Sequence, residues 1–235
     1  MKNYAIITDI HGNSPALSAV LNDIRNKDID HIFCLGDLVG IGPNSNEVIK
    51  LLLNQDNISY VKGNHDNAVV AAFYDRQTPE GHEHVRYHHK WLAERMEEEY
   101  VRFLDNMPIK IETEEELFIH YHLDQMNNFT PIDQEPTEEK LDQFYKNADY
   151  RLVCFGHHHV VHEYITPKAV YFNPGALGCF HKPVARYGII KLDNHRVEPQ
   201  LVEVPYNNSA FLKSYRELGV PESDFILKIF HGGQL

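Results

Sequence analysis

The sequence predicts an α/β fold built on parallel strands. Over the first 66 residues, short apolar segments suited to buried strands alternate with amphipathic segments suited to helices, in the order β-α-β-α-β. The strands are expected at 4–8, 30–35 and 58–61, and polar residues follow each of them directly. Strands joined through helices lie parallel with right-handed crossovers, and ligands bind beyond the carboxyl ends of such strands. The fold class therefore also predicts the place of a functional site.

Turn and capping residues support the remaining elements. Ser14 is a candidate N-cap with Pro15 at the first helical position, and Asn44 is a candidate cap with Glu47 three residues later. Leu17, Val20, Leu21 and Ile24 would form the apolar face of the first helix. Further strands are expected at 117–119, 152–155, 160–166, 169–172, 186–192 and 197–204, the last two antiparallel, and further helices from Thr137 and at 209–218 and 222–230.

The segment 67–105 is predicted to be helical and highly charged, and we expect it to lie over the site as a lid. It contains four histidines, namely His82, His84, His88 and His89. Histidines at helical spacing are more often part of a solvated or half-buried face than metal ligands. We therefore expect these four to belong to such a face.

Composition limits the classes of function. A length of 235 residues fits one domain, 1–235, with a sizeable core. The net charge of −12 makes stable nucleic-acid binding unexpected, because phosphate backbones repel an acidic surface. Three widely spaced cysteines, the lack of a signal peptide and the lack of a long apolar run predict a cytoplasmic protein without a membrane segment. The oligomeric state is left open.

Seven potential metal ligands follow predicted strands. Each motif alone is weak evidence, since Asp and Asn are common in turns and a single histidine can be a core residue. Seven mixed donors are too many for one tetrahedral zinc ion and suit two ions that share a carboxylate. Imidazole with carboxylate favours manganese first, with iron, zinc, cobalt or nickel as alternatives, over calcium or magnesium. The seven residues are Asp9, His11, Asp37, Asn64, His120, His157 and His159.

The order of these motifs resembles the calcineurin-like metallophosphoesterase superfamily, in particular its small bacterial phosphodiesterases. The matching segments span residues 9 to 178 and are Asp9-Ile10-His11, Gly36-Asp37-Leu38-Val39-Gly40, Gly63-Asn64-His65-Asp66, His120, Gly156-His157-His158-His159 and Asn173-Pro174-Gly175. The resemblance implies a four-layer αββα sandwich with a dimetal site at the carboxyl ends of the strands. It implies that Asp9, His11 and His159 bind one ion, that Asn64, His120 and His157 bind the other, and that Asp37 bridges them.

The chain departs from the family pattern at two places. Tyr121 stands after His120, where small family members usually have glycine, and a second imidazole, His122, follows. We take His120 as the ligand because it comes first after the strand, and we expect His122 and Tyr121 to bind substrate. The segment 38–40 lacks the arginine of Ser/Thr phosphatases, and Asp66 stands where those enzymes typically have glutamate. Both differences argue against a phosphoprotein substrate.

Two residues are expected to act in catalysis beside the metal ions. His65 is not needed as a ligand if Asn64 is one, so its imidazole can stabilise the transition state or protonate the leaving group. Asp66 can orient that imidazole, or it can be a capping or turn residue, and the sequence leaves both open.

The resemblance implies hydrolysis of a small-molecule phosphoester by a hydroxide that bridges two metal ions. A phosphodiester or pyrophosphate bond of a nucleotide is favoured, with diadenosine polyphosphates such as diadenosine tetraphosphate as leading candidates. Aromatic residues in the lid segment offer base stacking, although helix packing explains them better. The alternatives are a phosphomonoesterase, including a protein phosphatase, and a non-catalytic scaffold of the same fold. A nuclease would need a basic surface, which the net charge of −12 disfavours.

Overall fold

A computed structural model of the chain describes residues 1–234. The strands are β1 (Lys2–Ile7), β2 (His31–Cys34), β3 (Ile58–Tyr60), β4 (Lys110–Glu112), β5 (Glu116–Ile119), β6 (Leu152–Cys154), β7 (Val161–Ile165), β8 (Val170–Pro174), β9 (Val184–Leu192) and β10 (Val197–Pro205). The helices are α1 (Ser14–Ile24), α2 (Ser45–Leu53), α3 (Asn64–Phe73), α4 (Arg86–Ala93), α5 (Glu98–Asn106), α6 (Glu138–Phe144), α7 (Ser209–Glu217) and α8 (Ser223–Phe230), with a 3₁₀ turn at Glu83–Val85.

These strands form two five-stranded sheets. The first sheet has the order β10-β9-β1-β2-β3, and the second has the order β4-β5-β6-β8-β7. In the first, β1, β2 and β3 are parallel, and β9 joins β1 antiparallel. In the second, β5, β6 and β8 are parallel, while β4 and β7 are antiparallel edge strands. Each sheet therefore contains three adjacent parallel strands, and the carboxyl ends of these strands lie at one end of the sheet.

The layers follow from strands that are apolar on both faces. Ile7 of β1 packs toward the helices, whereas its neighbour Ile6 packs into the core between the sheets. The outer face of the second sheet is covered by Leu141 and Tyr145, in and just after α6. The order of layers is therefore helices, sheet, sheet, helix. This confirms the predicted four-layer αββα sandwich.

The predicted N-cap of α1 is wrong, and the predicted N-cap of α2 is confirmed in position only. Asn13, and not Ser14, caps α1, because the Asn13 side chain accepts a hydrogen bond from the Ala16 N–H at 3.1 Å. Asn44 is the N-cap of α2 but makes no side-chain capping bond. Its Oδ1 accepts from the Ser14 hydroxyl at 3.1 Å instead. The two loops at the site edge are thus tied to each other.

The segment 67–105 is helical, as predicted, and contains most of α3 together with α4 and α5. Trp91 and Leu92 of α4 lie in the core that the helices form with the first sheet. Movement of this segment as a lid, and the single-domain organisation, stay predictions. Between residues 1 and 234, every helix is too short or too polar to cross a membrane.

We expect the Phe118→Ala substitution to lower the free energy of unfolding by about 3–5 kcal/mol, because it leaves a cavity between the sheets. Phe118 is fully buried and stacks on Phe33 of the other sheet at a centroid distance of 3.6 Å. Urea unfolding measures this change. The control Tyr87→Ala, at a residue 74% exposed, should change stability by less than about 0.5 kcal/mol. Equal effects of the two substitutions would contradict the packing between sheets.

Candidate metal centre

The seven predicted ligands meet at the edge where the parallel strands of both sheets end. Asp9 and His11 follow β1, Asp37 follows β2, and Asn64 begins α3 after β3. His120 follows β5, and the remaining two, His157 and His159, follow β6. Four of the seven are buried, and the other three, Asn64, His157 and His159, are partly exposed in the wall of the site.

Burial differs within this set. Asp9, His11, Asp37 and His120 are at most 1% exposed. The other three residues, Asn64, His157 and His159, keep part of their surface accessible. The centre is therefore closed on the side of the sheets and open on the side of Asn64, His157 and His159.

The loops that carry the ligands have an unusual backbone. Five of the seven residues have positive φ, although none is glycine: Asp9 (53°), His11 (50°), Asp37 (52°), His157 (66°) and His159 (56°). Each such residue costs about 1–3 kcal/mol and persists only where the surroundings enforce it. Hydrogen bonds between loops enforce it here, because the Asp9 N–H donates to the Gly36 carbonyl and the His11 N–H to the Asp37 carbonyl.

The first group of inward-facing atoms comes from Asp9, His11 and His159. Nε2 of His11 lies 2.9 Å from Nε2 of His159. Oδ1 of Asp9 lies 3.3 Å from the His159 nitrogen and 3.7 Å from the His11 nitrogen. Three donor atoms for a metal ion thus converge within one coordination shell.

The second group comes from Asn64, His120 and His157. Nε2 of His120 lies 2.8 Å from Oδ1 of Asn64 and 3.2 Å from Nδ1 of His157. Asp37 lies between the two groups, with Oδ2 at 3.3 Å from the His120 nitrogen and at 3.7 Å from Nε2 of His11. One carboxylate oxygen is therefore close to both groups.

The opposite atoms of the same side chains are held by the protein. Nδ1 of His11 donates to the Val39 carbonyl at 3.2 Å, and Nδ1 of His120 donates to the Leu35 carbonyl at 2.7 Å. With these protons assigned, each neutral ring turns the lone pair of Nε2 inward. Oδ2 of Asp9 accepts from Thr8 and from the His157 N–H. Oδ1 of Asp9 is buried and has no hydrogen-bond partner.

This arrangement fits cations. The Nε2 lone pair of His120 faces the amide oxygen of Asn64, and two such acceptors repel each other unless a positive charge lies between them. Burial alone would raise the pKa of Asp37, but the His120 and His65 rings hold it well below its usual range. Burial would lower the pKa of His120, but the Asp37 carboxylate raises it to about 9, so that without a metal ion a proton on Nε2 supplies the positive charge at this position. The buried carboxylates therefore require a positive charge close to them.

Comparison with known proteins assigns the chain to a family. The family model described as the calcineurin-like phosphoesterase superfamily domain matches residues 2–195. The chain belongs to the calcineurin-like phosphoesterase superfamily. This confirms the resemblance drawn from the sequence motifs, and it makes the chain a metal-dependent phosphoesterase by family.

Individual members of the superfamily differ in how much they share with the chain. The uncharacterized protein MJ0912 of Methanocaldococcus jannaschii is 42% identical over 115 residues, which are 46% of this chain and 43% of that protein. The match therefore spans less than half of that relative's length. The crystal structure of a metallophosphoesterase from Sphaerobacter thermophilus is 26% identical, with a TM-score of 0.72 over 94% of this chain and 96% of that one. The hypothetical protein PH1004 from Pyrococcus horikoshii OT3 shares the fold, with a TM-score of 0.75 and 20% identity over the whole of both chains.

The motif Gly63-Asn64-His65-Asp66 serves the centre in two ways. A Cβ atom on Gly63 would lie 2.1 Å from Oδ1 of Asp37, so only glycine allows this close approach. The His65 N–H donates to that same oxygen at 2.8 Å, and the His65 ring packs edge-on against the His11 ring at 5.2 Å. Burial lowers the pKa of His65 well below its usual value, so its ring is neutral at pH 7.

The prediction that Asp66 orients the His65 imidazole is wrong, and the capping alternative is correct. Oδ1 of Asp66 accepts from the N–H groups of Leu38 and Val39, at 2.9 and 3.2 Å. Its Oδ2 accepts from the Gly63 N–H at 2.9 Å, at the start of α3. Both oxygens are therefore occupied by main-chain donors, and Asp66 ties the loop after β2 to the loop after β3.

The prediction that His122 binds substrate is also wrong. Strand β5 ends at Ile119, so the side-chain alternation of a strand, which would place His122 on the same side as His120, does not continue to His122. The His122 ring is buried on the outer face of the second sheet, where Nδ1 lies 2.7 Å from the Tyr145 hydroxyl. Tyr121 is 2% exposed, and its ring lies 5.0 Å from that of His157. It packs behind a predicted ligand and offers substrate no open surface.

Three features of the centre were missed from the sequence. His89 is fully buried, and not on a solvated or half-buried face as expected, and its Nε2 lies 2.9 Å from Nδ1 of His65. The sequence feature that could have indicated this burial is the position of His89 three residues before the buried Leu92, on the same face of α4. His82 reaches the Asn64 amide, with Nε2 at 3.1 Å from Nδ2. The thiol of Cys179 lies within 4.8 Å of ring nitrogens of His11 and His159, which its spacing in the sequence does not reveal.

We expect Asp66→Ala to lower the free energy of unfolding by more than about 3 kcal/mol, since three buried N–H groups lose their acceptor and each costs about 1–3 kcal/mol. Urea unfolding of metal-free protein measures the effect without the contribution of bound ions. Asp66→Asn keeps one acceptor oxygen and should lose less. A change below about 1 kcal/mol in Asp66→Ala would show that the carboxylate does not hold the two loops together.

Proposed function

We propose that the chain hydrolyses phosphodiester or pyrophosphate bonds of nucleotides with two metal ions, and that diadenosine polyphosphates such as diadenosine tetraphosphate are leading substrates. One observation carries the proposal. Two groups of buried, inward-facing donor atoms share the single carboxylate of Asp37. Such a pair of sites suits the in-line displacement at phosphorus that two-metal enzymes catalyse.

The ligands we propose are those at the strand ends. Asp9, His11 and His159 would hold one ion, and Asn64, His120 and His157 would hold the other, with Asp37 shared. The mixture of imidazole, carboxylate and amide donors favours manganese, with iron, zinc, cobalt or nickel as alternatives. The thiol of Cys179 near His11 and His159 adds a soft donor at the first position.

When bound, the two ions would supply a nucleophile from water at neutral pH and would neutralise charge on the phosphoryl group. The protein supplies the geometry. The loops after β1, β2 and β6 hold the donor atoms in place through strained residues and main-chain hydrogen bonds. The main-chain N–H of His65 donates to Asp37 and holds His65 beside the centre. The His65 ring would donate a hydrogen bond to the reacting phosphate.

Two observations support a diester of a nucleotide. Leu38 and Val39 are fully buried, so the segment that carries an arginine in Ser/Thr phosphatases provides no cation here. Positive charge at the phosphate would then come mainly from the ions, which suits the single charge of a diester better than a monoester dianion. The half-buried ring of Phe129 lies 5.7 Å from that of His120 and offers a surface on which a base can stack.

The aromatic residues of the lid segment are less available for base stacking than the Phe129 ring. Trp91 is 8% exposed, and Phe73 and Tyr74 pack against the helical core. Tyr87 is exposed and remains available. Helix packing therefore explains three of the four aromatic side chains, and Phe129 replaces them as the stacking residue that we propose.

We expect metal removal to abolish hydrolysis of bis(p-nitrophenyl) phosphate and Mn²⁺ to restore it, with two ions bound per chain. Elemental analysis counts the ions, and release of p-nitrophenolate measures turnover. Asp37→Asn should bind fewer ions and lose turnover, because it removes the shared charge. His84→Ala, an exposed residue of the lid segment, is the matched control.

The monoester p-nitrophenyl phosphate separates the alternatives. Faster turnover of the monoester than of the diester would favour a phosphomonoesterase. Protein that binds two ions and turns over neither ester would favour a scaffold. Products from diadenosine tetraphosphate and from cyclic nucleotides then identify the bond that is cleaved.

His65→Ala should lower turnover by about 10²–10⁴-fold while both ions remain bound, because it removes a hydrogen-bond donor from the reacting phosphate but no ligand. Steady-state kinetics and elemental analysis of the same preparation test this. Full activity, or loss of an ion together with activity, would remove His65 from the catalytic step.

A further inference from the structure

His65 is held by a second histidine from a distant part of the chain. Nδ1 of His65 lies 2.9 Å from Nε2 of His89, and the ring centroids are 5.1 Å apart at an interplanar angle of 71°. His89 lies on α4 and is 1% exposed. This distance is that of a hydrogen bond, so one of the two nitrogens carries the proton that they share.

The surroundings leave the His65 ring little freedom. The main-chain N–H of His65 donates to Oδ1 of Asp37 at 2.8 Å. Gly40 has φ of 121°, and a Cβ atom there would lie 2.5 Å from Cβ of His65. The rings of His11 and His82 pack edge-on at 5.2 and 5.0 Å. The contact with His89 therefore decides mainly which nitrogen of His65 carries the proton.

The other nitrogen of His89 indicates the direction of the bond. Nδ1 of His89 is buried and has no hydrogen-bond partner. If His65 donated, the proton of a neutral His89 would have to sit on this nitrogen, as a buried N–H without an acceptor. If His89 donates, Nδ1 keeps only a lone pair, and buried acceptors without a donor occur more often than buried N–H groups without an acceptor. Burial lowers the pKa of His89 to about 3, so the ring carries one proton at neutral pH.

We propose that His89 is a positioning residue, whose Nε2–H donates to Nδ1 of His65 and so holds the His65 proton on Nε2. His65 would then be a neutral hydrogen-bond donor to the leaving oxygen. This inference rests on the proposed function, because it assigns His89 a part in catalysis that acts only through His65. Nothing is transferred in this step, since both protons stay on their nitrogens while negative charge grows on the oxygen. A neutral imidazole acts as such a donor in other enzymes.

The role makes a prediction that packing alone does not. A hydrogen bond to the leaving oxygen matters more when that oxygen is more basic, because it then carries more charge to be stabilised in the transition state. Loss of the correct tautomer should therefore slow esters with basic leaving groups more than esters with acidic ones. A merely structural defect would slow both alike.

The kinetic experiment compares p-nitrophenyl and phenyl esters of thymidine 5′-phosphate, with Mn²⁺-loaded protein. His89→Leu removes the donor, and kcat for the phenyl ester should fall by about 10–100-fold with little change in KM. The fall for the p-nitrophenyl ester should be several-fold smaller. His89→Gln keeps an N–H donor and should restore most of the phenyl activity. His84→Leu, at an exposed position of the same segment, is the control. Equal losses on both esters, with no rescue by His89→Gln, would overturn the proposal.

A second measurement needs no substrate. Nitrogen-15 NMR of the imidazole rings in zinc-loaded protein reports which nitrogen of His65 is protonated, with His65→Gln used to assign the signals. We expect the proton on Nε2 in the unaltered chain and a shift of population toward Nδ1 in His89→Leu. A proton on Nδ1 in the unaltered chain would overturn the proposal. Because this result does not depend on turnover, an inactive protein with the expected tautomer would contradict only the proposed function.

Discussion

The acceptor atoms at the strand ends point at one another, and their mutual repulsion is the constraint on which this structure depends. The atoms are a carboxylate oxygen without a partner, imidazole nitrogens and an amide oxygen, and neighbouring atoms within each of the two groups lie 2.8 to 3.7 Å apart. Water cannot relieve the repulsion among the four ligands that are almost fully buried. The rest of the protein must therefore hold these atoms together until cations occupy the space between them.

The two sheets provide that support. Parallel strands of both sheets end at one edge, so loops from opposite sides of the sandwich can present side chains to the same point. Main-chain hydrogen bonds between the loops after β1 and β2 hold Asp9, His11 and Asp37 at positive φ. Asp66 adds a link between the loops after β2 and β3 through three N–H groups. The hydrogen bonds between loops thus hold the strained backbone of the centre in place.

Different residues hold the backbone and the ring of His65. Its backbone is fixed by Asp37, which also lies between the two groups of ligands. Its ring contacts His89 from α4, and the amide of Asn64 contacts His82 just before the 3₁₀ turn. The segment that the sequence suggested as a lid therefore supplies contacts to two consecutive residues of the centre. Helix α4 thus connects the hydrophobic core to His65 without itself providing a metal ligand.

The sequence by itself determined the fold class, the order of the parallel strands' ends and the seven residues that meet there. These are local properties, because apolar periodicity defines the strands and parallel strands must end at a common edge. The tertiary structure decided the roles of Asp66, His89 and His122. Which N–H groups reach Asp66, which ring reaches His65 and where the chain bends after Ile119 depend on packing between segments far apart in sequence. No local pattern encodes such contacts, since the same residue types satisfy a cap, a core position or a catalytic site equally well.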